Sequence, residues 1–277
     1  MRQLIIQKNP DKKGLVLIEG KDFHYLHQVL RVKAGDMINL RLPDGALQNS
    51  TVCKIDENAK KITLQVCALR EPQGPQKRGA AESGVGEAES GVGEALEPPP
   101  VEYTLFQFIP KPQKMDLIVR QATECGVKNI VPVISEYTQK GSIDSMSGGR
   151  LERLERIVRE ARQQSGSPLD TKVFEPVTVE QAIELWNKMK EEAGGEENSA
   201  GFVLSERDVV REPHQSPATP TIVSIVCGNE GGISPQELEL LVKKGLFCPI
   251  HFSVNILRCE TAALYGIAAI QTTISGI

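Results

Sequence analysis

The 277-residue chain is 40% hydrophobic and 25% charged, the balance of a soluble globular protein of one large or two small domains, which excludes disorder throughout. No run approaches the roughly 18 apolar residues of a membrane helix, and six scattered cysteines without a C-x-x-C pair argue against a zinc ribbon or a disulfide framework, leaving reduced and mostly buried thiols. The net charge of −4 is uneven: residues 1–78 hold 14 Lys and Arg against 8 Asp and Glu, residues 79–100 hold none against 5, and residues 101–277 hold 18 against 23. A basic segment beside a mildly acidic one suggests a polyanion-binding accessory domain joined to a catalytic or scaffolding one. The opening MRQLIIQKNPDKK has no apolar core before a small-residue cleavage site, so a cytoplasmic location without membrane association is expected.

Alternating runs at 4–7, 15–18, 37–42, 46–55 and 62–68, separated by turn chemistry such as Pro43-Asp44-Gly45, predict a small all-β domain over residues 1–77. One helix interrupts it, because Phe23, Leu26, His27, Leu30 and Arg31 follow i, i+3, i+4 spacing, with Gly35 as a stop. The expectation is a compact β-barrel carrying one helix. Residues 78–100 contain ESGVGEA twice in tandem and end in three prolines, a small, acidic, Gly-rich composition that cannot build a core and predicts a flexible linker. Beyond it, strands and helices alternate: a strand at 103–109, a helix at 114–125 with Met115, Ile118, Val119, Ala122 and Cys125 on its apolar face, and a strand at 130–134. Helices at about 150–164 and 179–191, the second placing Trp186 in the core, and strands at 202–204 and 221–227 complete the pattern. Such alternation predicts an α/β domain with a largely parallel sheet covered by helices.

Two motifs carry chemistry. The strand ending at Cys227 runs into Gly228-Asn229-Glu230-Gly231-Gly232-Ile233-Ser234-Pro235, and a helix follows with Ser234 as its cap and Pro235 at its first position. Glycines after a buried strand let backbone N–H groups approach a small molecule, and open α/β sheets bind ligands at the carboxyl ends of their strands. The spacing is not G-x-G-x-x-G and no G-K-[ST] is present, which disfavours a dinucleotide or phosphate-loop site. The second motif, FSVNILRCETAA at 252–263, leads into the small-residue run LYGIAAIQ, whose alanines and Gly266 suit close packing. Arg258 and Glu260, charged within an apolar run, need partners and stand two apart, so they do not face each other on a helix. His24 with His27, and Cys248 with His251, lack a second ligand pair, and no metal site is expected. Arg153, Arg156, Arg159 and Arg162 recur every third residue and form a broad basic band, which either binds RNA or pairs with Glu152, Glu155 and Glu160 as a solvated helix face.

These motifs, in this order at the end of an α/β domain, resemble the RsmE family of ribosomal RNA uridine-N3 methyltransferases, of the SPOUT class. The family's GPEGG(F/L)S is matched by GNEGGIS at 228–234, and its LGxRILRxETA by FSVNILRCETA at 252–262. K-x-x-[KR]-M-[DE] with ATELGV is similar to Lys111 and Lys114-Met115-Asp116 with Ala122-Thr123-Glu124-Cys125-Gly126-Val127. Pro132 with Ser135-Glu136, Arg156-Ile157 with Glu160-Ala161 and Gln164-Ser165-Gly166, and His24 with Val29-Leu30-Arg31, Lys33 and Gly35-Asp36 match further family patterns. The likeness spans nearly the whole chain except the linker.

The resemblance implies a PUA-like β-barrel followed at 101–277 by a SPOUT domain whose C-terminal part, about 200–277, forms a deep trefoil knot and a homodimer. It implies that S-adenosylmethionine is the cofactor, held by Gly228, Glu230, Gly231 and Gly232 on one side, Ile256, Leu257, Arg258, Thr261 and Ala262 on the other, with Leu204 and Ser205 at the preceding strand end. The implied reaction methylates N3 of a uridine in 16S ribosomal RNA, uridine 1498, presented as small-subunit RNA or as the assembled subunit. Catalysis would use Arg258 to stabilise charge developing on the base, and Glu230 or Glu260 to orient or deprotonate it. RNA would be held by Arg31, Lys33 and Arg41 of the barrel and by Lys111, Lys114, Arg153 and Arg156 beyond it. The chain departs from the family pattern at Gln121, Tyr137, Ser167, Asn229, Ser253, Asn255 and Cys259, which keeps open an alternative: a catalytically degenerate RNA-binding or ribosome-assembly factor with the same fold. Deleting residues 80–95 from the linker is expected to leave the melting temperature unchanged by calorimetry; a drop of several degrees would show that the segment docks.

Overall fold

The computed structural model describes residues 3–66, 100–146, 149–206 and 219–275. The chain divides into two compact units, Met1–Leu96 and Glu97–Ile277. Apart from Pro100, the expected linker lies outside the described residues.

In the first unit, strands β1 (Gln3–Ile5), β2 (Leu15–Ile18), β3 (Met37–Arg41), β4 (Leu47–Asp56) and β5 (Lys61–Val66) form one sheet in the order β1-β3-β4-β5-β2, parallel only between β1 and β3. No ladder joins β1 to β2 among the described residues. The inward alternation of Leu4, Ile38, Leu40, Val52, Ile62 and Leu64 meets Phe23 and Leu26 in one core. Cys53 is the extra residue of a bulge between Val52 and Lys54, which turns its side chain outward, against the expectation of burial. The expected helix is two kinds of turn: α1 (Gly20–His24) continues as a π-helical turn over Tyr25–Val29, closed by the Leu30 amide on the Tyr25 carbonyl at 3.0 Å, and ends at Arg31 with φ of 53°. Over two turns, apolar spacing does not distinguish the α from the wider π repeat.

Arg41 corrects one assignment. Its side chain points into the unit, where Nε and Nη2 donate to Gln3 Oε1 at 3.1 and 3.0 Å and Nη1 to the Gly45 carbonyl at 2.8 Å. It is 4% exposed, so it staples β3 to β1 and to the following turn and is withdrawn from RNA.

The second unit is a seven-stranded, all-parallel sheet. Its elements are β6 (Glu102–Phe108), α2 (Pro112–Glu124), β7 (Val127–Ile134), α3 (Lys140–Asp144), α4 (Arg150–Ser165), β8 (Lys172–Val173), β9 (Val177–Thr178), α5 (Val179–Glu192), β10 (Ser199–Leu204), β11 (Ile222–Cys227), α6 (Pro235–Lys243), β12 (Cys248–Ile250) and α7 (Cys259–Ser275). The order is β12-β10-β11-β6-β7-β8, with β9 also on β7. Both faces are covered. Tyr103, Leu105, Val223 and Ile225 pack with α2, α4 and α7, whereas Phe106, Phe108, Val131 and Val226 pack with α5 and α6. On α2 the expected Met115, Ile118, Val119 and Ala122 are buried. Gly266 lets α7 close on β10, since a Cβ there would collide with Leu204. Short β8, β9, β12 and α3 carry too few residues for a periodic signal.

The band of arginines on α4 is divided by partners. Arg150 and Arg153 both pair with Asp116 of α2 at 2.7 Å, and Arg162 is buried against Asp170. Arg162 therefore leaves the candidate RNA surface; Arg156 is exposed on it.

No helix among the described residues is long and apolar enough to cross a membrane. Trp186 is 1% exposed and packs on Phe247 with ring centroids 5.7 Å apart. Trp186→Ala is expected to lower the unfolding free energy by about 3–5 kcal/mol, read by circular dichroism in urea; a change below 1 kcal/mol would contradict the packing.

Candidate active site

The chain winds from β6 outward to β7 and β8, then returns to the other side of β6 for β11, β10 and β12. Parallel sheets bind ligands at the strand ends where the winding reverses. Here those ends enclose a cavity of about 320 Å³. Ser205 and Glu206 leave β10, the loop at 228–234 leaves β11, the segment at 251–259 leaves β12, and Lys114 reaches in from the first turn of α2.

The glycine loop is held by two buried amides. Gln107 Nε2 donates to the carbonyls of Phe108 at 2.9 Å, Gly228 at 3.1 Å and Cys227 at 3.4 Å. Asn229 Nδ2 donates to Ser135 Oγ at 3.1 Å, the Ile109 carbonyl at 3.4 Å and Thr138 Oγ1 at 3.5 Å, while its Oδ1 accepts the Gly231 N–H at 2.9 Å. The turn closes through the Gly232 amide on the Asn229 carbonyl at 3.0 Å, with Gly232 at φ 79°, a conformation that side chains disfavour. Tyr137 packs under the loop, where a Cβ on Gly231 would stand 2.7 Å from the tyrosine Cβ. Ser234 then caps α6 as expected: its Oγ accepts from the Glu237 amide, and Glu237 returns Oε2 to the Ser234 amide at 3.0 Å and gives Oε1 to the Glu136 amide at 2.7 Å.

The opposite wall is shaped by Phe252, whose ring stands edge-on to Tyr265 at 4.8 Å, and by a tight turn in which the Val254 amide donates to the Phe252 carbonyl at 2.7 Å. Ser253 does not take a positive φ. His251 Nδ1 lies 3.2 Å from the Ser205 carbonyl, tying β12 to the end of β10. Arg258 is exposed, and its carbonyl receives the Ala262 amide at the start of α7.

The charges converge on Lys114. Its Nζ is 3.1 Å from Glu260 Oε2 and 3.6 Å from Glu230 Oε1. Burial alone pushes the Glu260 carboxyl up, but its own backbone N–H, Lys114 and the Cys259 thiol outweigh that and hold it below the usual glutamate range. Burial likewise works against the Lys114 ammonium, and Glu260, Cys259 and Glu230 outweigh it, raising its pKa. The Cys259 thiol is pushed up to about 12 by burial, then by Glu260 and Glu230, and Cys227 is raised by burial, so neither offers a thiolate near neutral pH.

Residues 97–271 match the family model of the RNA methyltransferase domain. A ribosomal RNA small subunit methyltransferase E of Rickettsia conorii is 30% identical over 261 residues, 94% of this chain and 91% of that protein. The chain belongs to the ribosomal RNA small subunit methyltransferase E family. A family protein of Borreliella burgdorferi, ribosomal RNA small subunit methyltransferase E 2, is 24% identical over 97% of this chain and 96% of its own length. The crystal structure of a ribosomal RNA small subunit methyltransferase E from Neisseria gonorrhoeae, bound to S-adenosyl methionine, shares the fold with a TM-score of 0.69, at 24% identity over 98% of this chain and 97% of that one.

Of the residues that the family resemblance implied for the cofactor, Leu204, Ser205, Gly228, Glu230, Gly232, Ile256, Leu257, Arg258 and Ala262 line the cavity; Gly231 and Thr261 do not. Sequence reasoning missed Glu206, Ile233, His251 and Phe252, and it placed Lys114 on an RNA surface when the ammonium lies between two carboxylates. The available signal was Glu260 itself, a carboxylate in an apolar run that needed a cation from elsewhere in the chain. Asn229→Ala leaves the Gly231 amide and three acceptors without their partner and is expected to cost about 1–3 kcal/mol in urea denaturation; no loss would show the amide to be dispensable.

Proposed function

We propose that this chain methylates N3 of a uridine in 16S ribosomal RNA, at the position corresponding to uridine 1498, with S-adenosylmethionine as the methyl donor. The carrying observation is the cavity between the glycine loop and the segment at 251–259, apolar along Leu204, Ile233, Phe252 and Leu257 and charged at Lys114, Glu230 and Arg258. That lining fits a donor with an apolar adenine at one end and a sulfonium at the other. When bound, S-adenosylmethionine supplies an electrophilic methyl carbon that N3 attacks as the carbon–sulfur bond breaks.

The residues divide the remaining work. Uridine N3 must lose its proton, and charge then spreads onto its two carbonyl oxygens. Arg258, exposed at the cavity wall and without an ion pair among the described residues, is a cation that can swing toward them. Glu260 lies outside the cavity lining, is fixed by Lys114 and is a weak base in that state, so it acts by orienting the ammonium. Glu230 and Glu206 both line the cavity, and Glu230, whose side chain is 31% exposed and whose Oε2 lies outside the Lys114 and Lys111 contacts of Oε1, is the carboxylate we assign to meet the base. Three of the positions that depart from the family pattern support activity over a degenerate reading, since Asn229 and Tyr137 brace the loop and Ser253 does not take a positive φ.

RNA contact falls to Arg31 and Lys33 on the first unit, read as a PUA-like barrel, and to Lys111 and Arg156 on the second, all exposed. Arg153 contributes only by leaving Asp116. The exposed apolar side chains Ile256, 84% exposed, Val254 and Tyr265 suit a homodimer through a knotted C-terminal part. A ribosomal RNA partner, free or in the assembled subunit, supports a cytoplasmic location.

The test incubates unmodified small subunits with the protein and S-adenosylmethionine and analyses the nucleosides by mass spectrometry. 3-Methyluridine is expected with the wild type and is lost with Arg258→Ala at unchanged circular dichroism. No product from a wild type that binds the donor would overturn the reading.

A further inference from the structure

Three chain segments distant in sequence meet at one ammonium. Besides its two carboxylates, Lys114 Nζ lies 3.9 Å from Cys259 Sγ, and that thiol donates to Glu260 Oε2 at 3.3 Å. The Lys111 amide, one turn earlier, donates to Glu230 Oε1 at 3.2 Å. The start of α2 thereby grips both the glycine loop and the start of α7.

Burial separates this cluster from a surface pair. The Lys114 and Glu260 side chains are 24% and 16% exposed, against 71% and 60% for Lys243 and Glu239 on α6. Charges this enclosed are costly without their partners. Were the ammonium removed, Glu230 and Glu260 would lose the cation they share among the described residues, and the more enclosed Glu260 would hold a proton at higher pH. The titratable groups facing Lys114 are Glu230, Glu260 and Cys259.

We propose that Lys114 is a positioning residue of the methyl-transfer site, which clamps the glycine loop to α7, the two walls of the cavity, by pairing with a carboxylate from each. This rests on the reading of the cavity as the methyl-donor site. With two carboxylates to one ammonium, the cluster carries one negative charge in excess. It therefore favours a donor with a positive sulfur over the neutral thioether left after transfer.

The experiment measures S-adenosylmethionine and S-adenosylhomocysteine binding to the full chain by calorimetry at two pH values, about 6 and 8. For Lys114→Met, S-adenosylmethionine affinity is expected to fall about tenfold or more, with the larger loss at the lower pH, where Glu260 takes up its proton. Within the Met variant, the preference for S-adenosylmethionine over S-adenosylhomocysteine should be narrower at the lower pH than at the higher, where both unpaired carboxylates are charged. Lys114→Arg, which keeps the charge, should retain affinity within about threefold. A folded Lys114→Met protein with wild-type affinity at both pH values would overturn the proposal, as would equal losses in the Met and Arg variants that do not change with pH. Should the Met variant not fold, Lys114→Gln is judged by the same readings. A wild type that binds the donor without producing 3-methyluridine would sink the proposed reaction, while the binding comparison would still decide the role of Lys114.

Discussion

Strand β11 is hydrogen-bonded to β10 on one side and β6 on the other and is covered on both faces, so its backbone and side chains are committed to the core. Where the chain leaves this strand, the polar groups of the glycine loop lose the ladder that satisfied them. Burying such groups without partners is costly. Gln107 and Asn229 meet the demand, the first from the neighbouring strand and the second from within the loop. The cavity depends on that substitution of side-chain amides for a ladder, because a loop free to hydrate itself would have no fixed shape to present.

Much of the architecture was legible because periodicity reports burial. The boundaries of α4, α5 and β11 fall within a residue of those read from the sequence, and the Ser234-Pro235 start of α6 was written in its cap chemistry. The site was less legible. Gly228, Glu230 and Leu257 could be found because they sit in motifs, but the cation between Glu230 and Glu260 comes from 116 residues before the first of them, and spacing says nothing about contacts made across a sheet. β12 and the turn at Arg31 escaped for a different reason: three-residue strands and single wide turns have no period to detect.

Basic residues illustrate how little composition says about a surface. Arg41 and Arg162 count toward a positive charge balance, yet both guanidinium groups are spent on internal acceptors, one on an amide and a carbonyl and one on Asp170. Arg150 and Arg153 share Asp116 and bind α4 to α2. Guanidinium suits these tasks because its planar set of donors satisfies several acceptors at once and its hydration is weak enough to give up. A count of cations therefore overstates the charge available to a phosphate backbone, and the residues left outside such pairings define a narrower contact surface.

Asn229 occupies the place where the family pattern has proline, and the exchange alters what kind of stiffness the loop possesses. A pyrrolidine ring restricts the backbone covalently, in the unfolded chain as well as in the folded one. The asparagine instead restrains the loop only while Ser135, Thr138, Ile109 and Gly231 remain in reach. Preorganisation here is enthalpic and reversible. Its strength therefore depends on the chain leaving β6 at Ile109 and leaving β7 at Ser135 and Thr138 as much as on the loop itself, so that a disturbance at either strand end reaches the cavity.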